Sequence, residues 1–291
     1  MKKYLNDFMV EFEYLDEDRE FLIDAYGKIE ANEEARAEWD RILKVYNDDI
    51  NCDYYKGILV PAQNAGKLVG VHPYTSGLLI FMCMTKRLKE LYIERNISLD
   101  FYKKSVLDLK YKLDECKVVR GVIGSFVAWW FPGFFNLTRF GIGRLQFEIS
   151  GFGHDYEKNG HKLSKDSQVI GIHIPRDGTP FDEESCIEAY KAAKEFFTQI
   201  EGEEKPFVCH SWLLYPKHEE ILNHNSNTYK FFSRFDVFES GENEGDDLWR
   251  LFDTEDRNPD RLPTNTSFRK RYVDHLKNGG LVGWGYGVFF F

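Results

Sequence analysis

No apolar run in this chain of 291 residues reaches the roughly 20 needed to cross a bilayer. The longest, GVIGSFVAWWFPGFF at 121–135, is interrupted by Pro132 and is expected in a core. The first residues, MKKYLNDFMVEFEYLDEDRE, place no apolar stretch behind their two lysines and so read against a secretory leader. A basic excess is lacking too: 38 Lys and Arg face 48 Asp and Glu, a net charge of −10. Neither nucleic acid nor a membrane surface is an expected partner. The five cysteines, Cys52, Cys83, Cys116, Cys186 and Cys209, are odd in number and widely spaced, without a CxxC pair. That excludes a disulfide framework or zinc knuckle and points to a reducing cytoplasm. There is no GxxxxGK[ST] loop, no GxSxG elbow and no HExxH pair, and no metal is expected. The glycine-rich stretch Gly283-Trp284-Gly285-Tyr286-Gly287 leaves only four residues after it, too few for the helix of a dinucleotide site.

What the chain has in abundance is aromatic surface, 16% of residues, which suits a bulky packed core. Its acid is segregated. Residues 1–50 hold 15 acids against 7 bases and residues 201–260 hold 15 against 6, so the remainder is net positive and has room for an anionic ligand. The first part reads as helices. Leu22, Ala25, Tyr26 and Ile29 form one stripe; Ala35, Trp39, Ile42, Leu43 and Tyr46 form another, with Asn32 placed to cap it. Leu78–Met84 is apolar all round, as in a buried helix. From Ser98, the residues Leu99, Tyr102, Val106, Leu109, Leu113 and Cys116 recur at steps of three and four.

After Cys116 the pattern changes. Leu145, Phe147 and Ile149 alternate with Arg144, Gln146 and Glu148, a strand with one buried face. A polar hairpin segment follows, then strands over Gln168–Ile174 and Phe207–Leu214, and a last pair over Asp236–Glu239 and Leu248–Phe252. Helices are expected between them: one through Cys186, Ala189, Tyr190, Ala193, Phe196, Phe197 and Ile200, with Thr179 as N-cap and Pro180 at its first position; one over 219–235; and one through Phe268, Tyr272 and Leu276, stopped by Gly279 and Gly280.

From Arg144 the order is strand, hairpin, strand, helix, strand, helix, strand, strand. In that order the chain resembles the GNAT superfamily of N-acyltransferases. The phrases IGIHIPRDG, EAYKAAKEFF, FVCHSWLLYP, HNSNTYKFFSRF and LPTNTSFRKRYVDHLKNGG are similar to a bacterial family of acyltransferases that joins a helical N-acyltransferase N-terminal domain to a GNAT-like C-terminal domain. The resemblance implies an α+β chain with a helical domain over 1–116 and a GNAT-like domain over 117–291. It implies acyl transfer from acyl-CoA, or from an acyl carrier protein, to a small-molecule amine or peptide acceptor.

The family's pyrophosphate loop has the pattern [QR]xxGx[GA]; this chain has Arg176-Asp177-Gly178-Thr179-Pro180 there. Ile174, Arg176, Gly178 and Thr179, with Asn227 on the late helix, are thus the implied contacts to acyl-CoA or CoA. Asp182, Glu183 and Glu184 in the first helical turn oppose a pyrophosphate. A modified donor mode, a carrier-bound acyl group and a lost cofactor site all stay open. Where many such enzymes have a tyrosine acid on the late helix, this chain has Phe232, with Tyr229 one turn earlier. His173 or Glu148 is the candidate base, Tyr229 the candidate acid, and Ser211 the candidate of a covalent route, each against the alternative of an ordinary packed or solvated residue. His210 and Ser211 point to opposite faces of their strand, so only one can meet the cleft. The alternative to an enzyme is a non-catalytic GNAT-like ligand-binding or scaffolding module with an eroded pyrophosphate loop.

Overall fold

The computed structural model describes residues 1–291 except 159, 180, 244, 246 and 247, so the expected first helical position at Pro180 lies outside the described residues. Two compact units divide the chain, Met1–Gly141 and Ile142–Phe291.

The first unit is helical: α1 (Lys2–Glu11), α2 (Asp16–Ala31), α3 (Glu33–Asp48), α4 (Val60–Leu68), α5 (Pro73–Glu94), α6 (Leu99–Arg120) and the single turn α7 (Pro132–Phe135). Asn32 caps α3 by accepting from Ala35 N (3.0 Å), and Ser98 caps α6 by accepting from Asp100 N (3.2 Å). Helix α5 is buried on every side from Thr75 to Thr85 and packs against α2, α3, α4 and α6. Its all-round apolar sequence therefore marks the centre of a bundle. Phe131, Phe134 and Phe135 of the apolar segment are buried in this unit, and Trp129 is exposed. No helix among the described residues is long and apolar enough to cross a membrane.

Strand β1 (Arg139–Ile142) leads into the second unit, which holds β2 (Leu145–Gly151), β3 (Tyr156–Lys158), β4 (His161–Leu163), β5 (Gln168–His173), α8 (Glu183–Glu201), β6 (Phe207–Ser211), α9 (Asn227–Phe232), β7 (Asp236–Glu242), α10 (Leu248–Phe252), α11 (Ser267–Lys277) and β8 (Gly283–Phe289). The main sheet runs β1-β2-β5-β6-β8-β7, and β3-β4 form a separate hairpin. From β2 to β7 neighbours are antiparallel except for β5 and β6, which are parallel.

Alternation assigns every side chain of the sheet to one of two faces. The apolar face carries Phe147, Ile170, Ile172, Phe207 and Phe289. Tyr190 of α8 seals it, with ring centroids 5.7 Å from Phe207 and 5.1 Å from Phe289. Phe289 is thus buried, while Phe290 and Phe291 stay over a third exposed. The other face is covered at one end by the β3–β4 hairpin, where Phe152 and Tyr156 pack on Val169, Val208 and Val288. Tyr156 Oη donates to Asp236 (2.8 Å) and pins the hairpin there. At the far end of that face His173 is partly exposed and His210 exposed, while Gln146 is buried.

Four expectations are corrected. Leu248–Phe252 is a helix, and the partner of β7 is β8. Leu248 and Phe252 are one helical turn apart and fill a cluster with Tyr272 and Val273 of α11. The glycine-rich stretch is that strand. Its glycines alternate on the apolar face because a Cβ at Gly285 would lie 2.1 Å from Leu214 O, and one at Gly287 2.8 Å from Phe235 Cβ. The strand at 207 ends at Ser211, whose hydroxyl accepts from Leu213 N (3.1 Å) and starts a 3₁₀ turn. The helix over 219–235 shrinks to α9, because Asn223 accepts from Asn225 N and Ser226 Oγ and forms a turn there.

Candidate active site

The two central strands pair with each other at only two positions, Ile170–Phe207 and Gly171–Val208. On its outer side β5 stays paired with β2 as far as His173–Gln146, and β6 with β8 as far as Ser211–Gly285. Past Gly171 and Val208 each strand is therefore held only from outside, and the sheet opens between them. Backbone N–H and C=O groups facing such an opening are unsatisfied by the sheet and suit an extended amide-bearing ligand.

Glu148 faces Gly171, and Gln146 faces His173, across the β2–β5 ladder, so Glu148 and His173 share the open face. Their side chains meet, with His173 Nε2 3.1 Å from Glu148 Oε2, both about a quarter exposed. A carboxylate only accepts, so Nε2 carries the proton, and in the neutral ring the lone pair is on Nδ1. This is the arrangement of an imidazole base oriented by a carboxylate. Sequence reasoning treated the two as alternatives; the register makes them one pair.

The loop from β5 to α8 is built around Asp177. Its carboxylate accepts from Thr179 N (2.9 Å) and Thr179 Oγ1 (2.7 Å) and lies 3.4 Å from the Arg144 guanidinium. Both charged side chains are nearly buried, at 7% and 8% exposure. Arg144 also donates to Pro175 O (3.2 Å) and Thr179 O (3.4 Å), tying both ends of the loop to the start of β2. The loop thus has the donors of an anion site, and its own carboxylate sits among them. Gly178 turns the chain there at φ +74°.

Thr179 is engaged in this way and does not cap α8, contrary to expectation. The cap is Asp182, which accepts from Ser185 N (2.8 Å), and that bond holds its carboxyl below the usual range. Glu183 is neutralised by Lys230 (3.1 Å) and Arg234 (3.2 Å), so the first turn is less hostile to an anion than its sequence implies. Arg176 turns away to Asp253 (2.5 Å), and Ile174 is exposed at the end of β5.

The remaining candidates have contacts of their own. Asn227 is the first residue of α9, behind the Ser226 cap, and is exposed. Tyr229 Oη donates to Glu219 (3.3 Å), and its ring stacks on His224 at 4.1 Å. Burial and the Glu219 carboxylate raise its phenol pKa. Ser211 lies on the apolar side of the sheet, opposite both strand histidines, and its oxygen is used by Leu213 N. Arg144 and Asp177 were not singled out from sequence. They lie 33 positions apart, and only the charge reversal inside RDG hinted at an internal partner. All five cysteines are unpaired, and no group of His, Cys, Asp or Glu among the described residues is placed to hold a metal ion.

The fold agrees with comparisons to known proteins. A crystal structure of an acyltransferase in complex with decanoyl-CoA superposes with a TM-score of 0.76 at 18% identity, over 97% of this chain and 86% of that one. One in complex with decanoyl-CoA and teicoplanin gives 0.75 at 21% identity, with the same coverage. One with CoA and 10C-teicoplanin gives 0.66 at 18% identity over 98% of both chains. These likenesses establish the α+β, GNAT-like fold. No curated protein matches the chain. Residues 3–137 match the N-acyltransferase N-terminal domain, and residues 139–289, more than half of the chain, match the GNAT-like C-terminal domain. The chain belongs to the family of GNAT-like acyltransferases that carry this pair of domains.

Proposed function

We propose that the protein transfers an acyl group from acyl-CoA to the amine of a small molecule or peptide by direct attack, in the cytoplasm. The observation that carries the reading is the sheet opening with the Glu148–His173 pair at its mouth. The pantetheine arm would lie along the free edge of β5. The amine nitrogen attacks the thioester carbonyl, the C–S bond breaks, and the electron pair leaves with the CoA sulfur. His173 Nδ1 takes the proton that the amine loses, and Glu148 stabilises the imidazolium that forms. Tyr229 is the proposed proton donor to the departing thiolate; its raised pKa keeps it protonated, and it must exchange its bond to Glu219 to act. Direct attack needs no nucleophile from Ser211. The similar acyltransferase structures with CoA, decanoyl-CoA and teicoplanin support a CoA-borne donor and a small-molecule or peptide acceptor.

A second reading has one specific observation behind it. Asp177 fills the position of an anion in the loop, which favours a carrier-protein donor or a non-catalytic module that takes no pyrophosphate. Calorimetric titration with CoA separates the two. Saturable binding, with thiol release from octanoyl-CoA in the presence of amines that His173→Ala abolishes, is the expected result. An absence of CoA binding at millimolar ligand sinks the free-CoA donor.

A further inference from the structure

The sheet opening has a second arm. His210 lies two residues beyond Val208 just as His173 lies two beyond Gly171, and Gly171–Val208 is the last pair of the β5–β6 ladder. The two histidines hold matching positions on opposite arms and share the open face. His173 is backed by a carboxylate. His210 is backed by rings: its centroid is 4.6 Å from Trp284 at an interplanar angle of 32°, and 5.8 Å from Tyr286 at 65°. Trp284 and Tyr286 stand on β8 on the same face as His210, and the Trp284 indole lies over Gly241 of β7, where a Cβ would come within 2.9 Å of it. The missing side chain lets the indole lie down on the sheet. His210 is exposed, and Trp284 and Tyr286 are partly exposed. On its far side Tyr286 packs against Phe238 (4.9 Å) and His154 (5.3 Å), and His154 Nδ1 is 3.1 Å from Glu239, so the open part of the shelf is His210 and Trp284 with the near edge of Tyr286.

We propose that this shelf, His210, Trp284 and Tyr286, binds the body of the acceptor, and that the acceptor is a primary amine on a short alkyl arm of an aromatic ring. The proposal rests on the acyl-transfer reading for the identity of the reacting group, but the shelf stands on its own geometry. A ring laid beside Trp284 gains the offset stacking that aromatic pairs prefer. A straight alkyl amine has no flat face to offer. The carboxylate of Glu239, level with Tyr286 on β7, attracts the ammonium form in which an amine arrives. From there the nitrogen is one strand spacing or more from the His173 arm, across the opening where the thioester would sit.

Tyramine is the probe, with hexylamine and glucosamine as comparisons. Binding is followed by saturation-transfer NMR on the full chain with CoA present, and turnover by thiol release from octanoyl-CoA. Tyramine is expected to bind most tightly. His210→Ala and Trp284→Ala are each expected to weaken it roughly three- to tenfold, the loss of one stacked pair, and to leave CoA affinity unchanged. Trp284→Phe keeps a ring and is expected to restore most of the loss. His210 is exposed, so its variant reports even where Trp284→Ala fails to fold. Hexylamine or glucosamine bound as tightly as tyramine overturns the proposal, as does tyramine binding indifferent to His210→Ala. Shelf-dependent tyramine binding without thiol release supports the shelf and removes the transferase reading. Thiol release with hexylamine matching that with tyramine does the reverse.

Discussion

His218 is wholly buried in a 3₁₀ turn after β6, and its protonation should govern the acid stability of the second unit. Its Nε2 is 2.9 Å from Tyr272 Oη, and its Nδ1 has no hydrogen-bond partner. The rings of Trp212, Tyr215 and Tyr272 surround it, and His275 lies 6.4 Å away. Burial, and secondarily His275, hold the imidazole neutral and lower its pKa from the ordinary 6.5 to about 4. The group is a base with a depressed folded pKa, so the unfolded chain takes up the proton first. Above pH 6.5 both states are neutral at this ring and nothing is lost. Between 6.5 and 4 only the unfolded chain is protonated there, and stability falls by about 1.4 kcal/mol per pH unit. Below 4 both states are protonated and the loss levels off. The total is about 3 kcal/mol, since each pKa unit is worth about 1.36 kcal/mol, a large share of the stability of an ordinary domain.

The assay is urea unfolding at half-unit steps from pH 7.5 to 4 on the wild type, His218→Phe and Tyr272→Phe. Carboxylates that titrate in this range do so in all three, so the difference between curves isolates the ring. His218→Phe should flatten the curve between pH 6.5 and 4 by about 3 kcal/mol, whatever its stability at neutral pH. Tyr272→Phe keeps the imidazole and should keep the slope. Parallel curves for the wild type and His218→Phe would refute the reasoning, because they would mean the buried ring never resists its proton.

Other consequences are simpler. Glu148→Gln keeps the shape of the side chain but not its charge, and should lower kcat by roughly a hundredfold while leaving CoA binding unchanged in calorimetry. Asp177→Asn removes the carboxylate that occupies the loop's donors and should tighten CoA by about tenfold, whereas Arg144→Ala frees both ends of the loop and should raise the KM for acyl-CoA by a similar factor. Equal CoA affinity in all three proteins would show that the loop does not take the pyrophosphate. Gly285→Ala sets a methyl group against Leu214 O and should cost about 2–3 kcal/mol in urea unfolding, as overpacking does.

Where a signal was local and long, the sequence was legible. Ser98 followed by six apolar residues at helical spacing has one sensible reading, and the all-round apolar Leu78–Met84 could only be central. The alternation from Leu145 to Ile149 gave both β2 and its faces. Short segments failed for a physical reason: five residues such as Leu248–Phe252 satisfy a strand and a helix equally, and neighbours decide. The charged pairs that shape the site were illegible for another reason. Glu148 and His173 are 25 positions apart, Arg144 and Asp177 are 33 apart, and their meeting depends on a register that no single strand encodes.

The stretch Gly283-Trp284-Gly285-Tyr286-Gly287 is different, because its information was present and pointed the other way. Glycine is poor in strands, and three in five residues look like a loop. Yet they recur with a period of two, which is the period of a strand and of nothing else regular. Read that way, one face of β8 is flush and the other aromatic. The flush face accepts the backbone of the 3₁₀ turn at Trp212–Leu214, which no side chain there would allow. The aromatic face follows from the same constraint: glycine is forced on one side, so whatever the strand presents to a ligand must stand on the other, and there the chain has placed Trp284 and Tyr286 beside His210.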